Sequence, residues 1–344
     1  MLKSFLLLPA APTVHFLGLR WMAVNGAVWS GLSALLALQF AVQPLLMRLC
    51  VPRGVISSSL VLAVEALKLL LCLVGLVFSS RLRPALKDWS VEIGFREALQ
   101  NFVCTAAYRR LDGVTFNVLS QTKLLFTALF ALALRGRDQT KQQWQALLLI
   151  FIASASAVIG EGAASRGPME ASRADVVVGA AAALLGAALS GLGSVLSEDV
   201  LVQKQRDVLL FSAELAAGGI LVVGVNLLLD LNGDGTRLLH SRDLFALWTP
   251  STLLPVVTLG CGGILVGVVT KAVGSVRKAL TVTVGLLLSA AFRTAWLGRP
   301  PSLRLCISIL LVVAGMRRYF RLGQHPVETI DANWHGEPVT LRRT

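Results

Sequence analysis

The sequence predicts an all-α multi-pass membrane protein, with ten transmembrane helices laid out as two inverted five-helix repeats. Three observations lead there. Hydrophobic residues make up 55% of the chain and charged residues only 15%, with a mean hydropathy of +0.71, against about 25% charged residues in soluble domains. Apolar runs of roughly 18 residues or more, the length that spans a bilayer, recur about ten times between short basic or Gly/Pro-containing breaks. Two lysines, Lys123 and Lys278, stand in apolar stretches at related places in the two halves. Repeats of five helices insert in opposite orientations, which places a binding site near the midplane at their interface.

In chain order, residues 1–23 read as an uncleaved, poorly ordered leader. Their short apolar core behind Lys3 imitates a signal sequence, but multi-pass proteins are targeted by their first true span. The first repeat, 24–160, takes the spans 24–47, 55–79, 91–108, 114–134 and 143–160. A connecting loop at 161–174 leads to the second repeat, 175–320, with spans 175–197, 207–229, 251–271, 276–296 and 302–320. Residues 321–344 form a cytosolic tail. Even-numbered loops and the tails hold Arg81, Arg83, Lys87, Arg135, Arg137, Lys141, Lys204, Arg206, Arg317, Arg318 and Arg321, a small excess over the odd-numbered loops. That bias favours cytosolic termini. Small residues crowd GAAAALLGAALSGLGS at 179–194 and AAGG at 216–219, so helices should approach closely there. Any one of these glycines serves packing as readily as a hinge.

The net charge of +13 sits mostly in the breaks between apolar runs, where it serves topology rather than nucleic acid. Cys50, Cys72, Cys104, Cys261 and Cys306 lie in or beside apolar runs without metal-ligand spacing, so packed, reduced thiols are expected and no metal. DLNGDG at 230–235 matches the first half of an EF-hand loop, but Ser241 stands where the bidentate Glu belongs. No Walker loop, HExxH, nucleophile elbow or paired catalytic carboxylate is present. Nothing in the sequence supports an enzyme or a cofactor.

Five intramembrane charges invite a function. An ammonium at a helix centre costs about 2.5 to 3.5 kcal/mol on insertion scales. Lys123, in the middle of the run from Val114 to Leu134, is too deep to snorkel and favours a task such as holding an anion. Lys278 begins its run beside Arg277, so a snorkelling role and a functional one weigh equally. Glu65 and Lys68 share a helix face at i,i+3; mutual neutralisation is the simpler account, a proton relay the other. Glu214 in FSAELAAGG has no local partner and is expected to reach a ligand hydroxyl or Lys278.

The stretch ALQNFVCTAAYRRLDGVTFNVLSQTKLLFTALF at 98–130 resembles the nucleotide-sugar transporters of the CMP-sialic acid and UDP-galactose type. The spacing from Gln100–Asn101 to Leu111–Asp112 and on to Lys123 fits without a gap. LALQFAVQPLL at 36–46, TFNVLSQTKLLFTALF at 115–130 and GGILVGVVTKAVGSVRKAL with GRPPS at 262–302 look more like the plant endoplasmic-reticulum branch that carries UDP-N-acetylglucosamine and UDP-N-acetylgalactosamine. The resemblance runs from about residue 30 to 320. It implies the ten-helix drug/metabolite transporter fold in a Golgi or endoplasmic-reticulum membrane. It also implies exchange of cytosolic nucleotide sugar for luminal nucleoside monophosphate, with Lys123 and Lys278 on the phosphate. Matching positions nominate Asn101, Phe116, Asn117, Ser120 and Gln121 for sugar or ribose contacts, and Gly191 for close helix approach.

Departures narrow the cargo. Animal CMP-sialic acid carriers have a W-x-R-N-x-Q-x-x-Y run where this chain has QKQRDVLLF, with Asp207, Leu209 and Phe211 in the comparable places, and Phe116 replaces their tyrosine. Lys271 has no counterpart in the plant pattern. UDP-galactose and CMP-sialic acid stay as alternative cargoes. A second copy of the chain or a glycosyltransferase is admitted as a partner, nucleic acid is not. A non-transporting scaffold would leave Lys123 idle at the midplane, at the cost given above.

Overall fold

The computed structural model describes residues 13–52, 54–90, 92–94, 103, 111, 113–136, 138–162, 173–228, 244–245, 247–296 and 302–322. Apart from turns and short connections these residues are helical, with no strand among them. The elements are α1 (Thr13–Cys50), α2 (Ser57–Phe78), the short α3 (Leu82–Lys87), α4 (Gly113–Ser120), α5 (Lys123–Arg135), α6 (Lys141–Gly162), α7 (Arg173–Glu198), α8 (Val208–Leu228), α9 (Leu253–Val273), α10 (Ser275–Trp296) and α11 (Leu303–Leu322). A π-helical turn, Asp199–Gln203, extends α7, and a 3-10 turn, Pro250–Thr252, leads into α9.

Among the described residues, 8 stretches are long and apolar enough to cross a membrane, from Gly31–Cys50 to Ser275–Arg293. They coincide with eight of the expected spans. The expected span 302–320 is present as α11, but Arg304, Arg317, Arg318 and Arg321 make it less apolar than the others. The expected span 91–108 lies outside the described residues apart from 92–94 and 103, as do the DLNGDG turn and residues 323–344 of the tail. The first helix differs from expectation. It starts at Thr13, directly after Pro12, so residues 13–23 of the presumed leader are helical. Hydropathy marked where the apolar window ends; helix formation continues through the more polar residues because nothing between Thr13 and Cys50 except Pro44 interrupts it.

The most extensive helix contacts join α6 to α11, α1 to α10, α2 to α8 and α5 to α7. The largest apolar cluster runs through α5, α6, α7, α10 and α11, with Leu124, Ile150, Val195, Leu280, Leu305 and Val312 at its centre. Four cysteines are described as free thiols; Cys72 is buried as expected, whereas Cys261 is exposed.

The bundle has two unlike ends. At one, Ser251 Oγ and Thr252 Oγ1 donate to the Cys50 carbonyl at 3.1 and 3.3 Å, and Trp248 Nε1 donates to Ser59 Oγ at 3.1 Å. At the other, Arg81 pairs with Asp207 at 2.5 Å, Arg206 donates to the Asp88 carbonyl and pairs with Glu214, and Lys271 Nζ donates to the Arg206 carbonyl at 3.0 Å. Here too Arg135 meets Asp199 at 3.5 Å and Arg318 reaches Gln145. Followed along their directions, α1 begins and α11 ends at this ionic end.

Lipid is as apolar as leucine, so helices in a bilayer associate through tight packing of small residues and polar contacts. The closest approach lies between Gly94 and α8. A Cβ added to Gly218 would fall 2.3 Å from the Gly94 carbonyl oxygen. Gly218→Ala therefore forces two backbones apart, and overpacking of this kind costs about 1–3 kcal/mol. The expected result is a lower Tm of the detergent-purified protein. Gly224→Ala, at a position on the same helix with nothing within 4 Å, is the control that should leave Tm unchanged.

Candidate ligand site

The span that carries Lys123 is broken in its middle. Backbone bonds from Gln121 N to Val118 O, Thr122 N to Leu119 O and Leu124 N to Gln121 O, at 3.1, 3.1 and 3.2 Å, replace the α-helical pattern with a tighter one. Thr122 Oγ1 adds a bond to the Leu119 carbonyl at 2.6 Å. Lys123 is thus the first residue of a new helix, α5, deep in the span, and Thr127 Oγ1 donates to its carbonyl at 2.7 Å. Ser120, Gln121 and Thr122 are the sequence signal for this break, although none of them is a helix breaker of the Pro or Gly kind.

Around the break, Asn117 is exposed, Ser120 is half-buried and Gln121 is buried. Phe116 packs with Leu119 against Leu111 and Ala183, so its ring helps seat α4 on α7. Asn101 lies outside the described residues.

Lys278 belongs to α10, whose start is set by Gly274 at φ +86°, a conformation that L side chains rarely adopt. Its ammonium donates to Ser194 Oγ of α7 at 3.2 Å. One turn back on α7, Gly191 lies against α5: an added Cβ would meet Phe126 Cβ and Thr127 N at 2.8 Å. A single face of α7 therefore touches α5 just past Lys123 and α10 at Lys278. Lys123 and Lys278 sit on neighbouring helices that α7 braces together, and α5 and α10 also contact each other directly.

The same face of α7 carries a residue the sequence reading passed over. Glu198 is 1% exposed, and its Oε2 accepts from Ser275 N at 2.9 Å and Ser275 Oγ at 2.6 Å. Gly191, Ser194 and Glu198 stand at i, i+3 and i+7, the spacing that would have marked them as one stripe.

Glu65 and Lys68 form the expected i,i+3 pair at 2.5 Å near the middle of α2. Glu65 lies on Gly219 of α8 and Lys68 on Gly263 of α9, each 2.9 Å from where a Cβ would stand. Glu214 pairs with Arg206 rather than with Lys278. Arg206 Nε donates to its Oε2 at 3.1 Å, a second Arg206 nitrogen takes Oε1, and Ser90 N donates to Oε1 at 2.6 Å. The sequence reading looked for the partner on another helix, and it comes from the loop eight residues upstream. Lys271, whose role the sequence left open, props that loop through the Arg206 carbonyl.

Comparison with known proteins adds to this geometry. The family model for nucleotide-sugar transporters matches residues 31–320. The UDP-N-acetylglucosamine transporter ROCK1 of Arabidopsis thaliana is 32% identical over 83% of this chain and 90% of its own. The UDP-galactose translocators of Bos taurus and Homo sapiens are 31% and 30% identical over 56% of this chain and 47% of theirs. A crystal structure superposes with a TM-score of 0.67 over 87% of this chain and 99% of its own; at 16% identity the likeness is one of fold alone.

Proposed function

The chain belongs to the nucleotide-sugar transporter family, and from that premise we propose that it carries UDP-N-acetylglucosamine and UDP-N-acetylgalactosamine from the cytosol into the endoplasmic reticulum or Golgi lumen, in exchange for a nucleoside monophosphate. The observation that carries this reading is the match to the plant UDP-N-acetylglucosamine transporter over nearly the full length of both chains. UDP-galactose is the second reading, favoured by the translocators matched over about half their length.

In this reading Lys123 and Lys278 hold the diphosphate. Ammonium groups bind it as compact point charges on flexible stems, a grip that can be released. The monophosphate keeps the same lysines occupied on the return stroke, so an empty, doubly charged cavity is not required to reorient. Asn101, Asn117, Ser120 and Gln121 take the sugar or ribose. Ten helices as two inverted repeats fit the contacts: exchanging each span with its counterpart five helices on turns α1 with α10 into α7 with α5, and maps α6 with α11 and α2 with α8 onto themselves. Chain ends that share the ionic end support termini on one side, which the charge bias assigns to the cytosol.

Purified protein in liposomes preloaded with UMP should accumulate labelled UDP-N-acetylglucosamine, with little uptake into empty liposomes. Equal uptake by both removes the exchange. Stronger competition by UDP-galactose or CMP-sialic acid than by UDP-N-acetylglucosamine transfers the assignment to that cargo, because specificity among these rests on a few hydrogen bonds.

A further inference from the structure

Beyond the two lysines, α7 and α10 meet through a ladder with two polar rungs. Ser194 bonds Lys278, and Glu198 bonds both the amide and the hydroxyl of Ser275. As α7 advances from 194 to 198, α10 steps back from 278 to 275, so the helices run antiparallel here with their rungs in register. One rung is about 6 Å along a helix. The nearly fully buried Glu198 carboxylate therefore stands about one turn from the ammonium of Lys278, on the same side of the same interface. Capping the first turn of α10 would need only a neutral acceptor such as serine or asparagine. A buried carboxylate does more, because it also sets the potential at the neighbouring cation.

We infer that Glu198 is a positioning residue and resident counter-charge for Lys278: it fixes the first turn of α10 that carries the lysine, and its charge opposes the phosphate for the ammonium, so that bound nucleotide can leave. This rests on the reading of Lys278 as a phosphate-binding residue. An exchanger turns over only if its grip is limited, and a carboxylate one turn from the lysine limits it.

The test compares UMP with uridine, which lacks the phosphate, by calorimetry on the full-length protein, together with exchange rates in liposomes. Glu198→Gln keeps an acceptor for Ser275 and removes the charge. It should bind UMP about ten-fold tighter, bind uridine as the unmodified protein does, and exchange more slowly at saturating substrate. Ser275→Ala keeps the charge and frees one of the carboxylate's bonds, which strengthens its competition; UMP should then bind about three-fold more weakly, again with uridine unchanged. Opposite shifts from two variants at one rung do not arise from a loss of packing. In a Lys278→Ala background the Glu198→Gln effect should vanish.

Unchanged UMP affinity in folded Glu198→Gln, or in Ser275→Ala if the former is not recovered folded, overturns the inference. So does a tightening that persists without Lys278. Lys278→Ala with undiminished UMP affinity instead overturns the phosphate reading on which the inference stands.

Discussion

In liposomes loaded with UMP, Lys123→Ala and Lys278→Ala are each expected to lower UDP-N-acetylglucosamine uptake by roughly a hundred-fold while leaving folded protein at normal yield. A hydrogen bond to a charged group contributes about 1.5–3 kcal/mol, and the upper figure is near a hundred-fold in affinity. The upper figure applies because Lys123 lies deep in an apolar span, far from either surface. The main apolar cluster, which includes their neighbours Leu124, Ala128, Val276, Ala279 and Leu280, is left intact by the substitutions. Equilibrium binding of UMP should weaken in parallel with transport. Either variant that retains uptake within about three-fold of normal removes that lysine from the phosphate site.

Arg206→Ala is expected to be the most damaging change to stability. It strands the Glu214 carboxylate, 0% exposed in its side chain, with only the Ser90 amide for company. Removing one partner of a buried ion pair costs about 3–5 kcal/mol, because the other charge stays buried. The Tm in detergent should fall well below that of Gly218→Ala, and monodisperse yield with it. Glu214→Ala strands Arg206 less severely, since its side chain is 19% exposed and also holds the Asp88 carbonyl. The double variant should be more stable than Arg206→Ala alone, the coupling expected of residues in direct contact. An unchanged Tm in Arg206→Ala shows that the pair adds nothing to stability.

Hydropathy located most of the helices because a span must be both long and apolar, and that signal is local. It lost the first helix's true start, where helical structure outlasts the apolar window, and it could not see the break at Gln121–Thr122, because no proline or glycine announces it. Lys123 stood out by depth alone. Lys278 did not, since the hydroxyl it touches is brought by a helix far away in sequence. The partner of Glu214 was hidden for the same reason. Charge pairs that close a fold are made between segments, and Ser90, Arg206 and Glu214 share no period that one helix could show. Glu198 and Ser194 stood in plain view at helical spacing beside Gly191, but polar residues at a helix end are common enough to pass for a terminus.

The unlike ends of the bundle give the molecule a chemical polarity that its uniformly apolar spans hide. Hydroxyls and an indole close one end, contacts that are indifferent to ionic strength; guanidinium, ammonium and carboxylate groups close the other, where the exposed Arg81–Asp207 pair is open to screening. Among the described residues, dissolved salt therefore bears on the contacts of one end and not on those of the other. A transporter closed by these contacts answers the solution on one side of the membrane more than on the other.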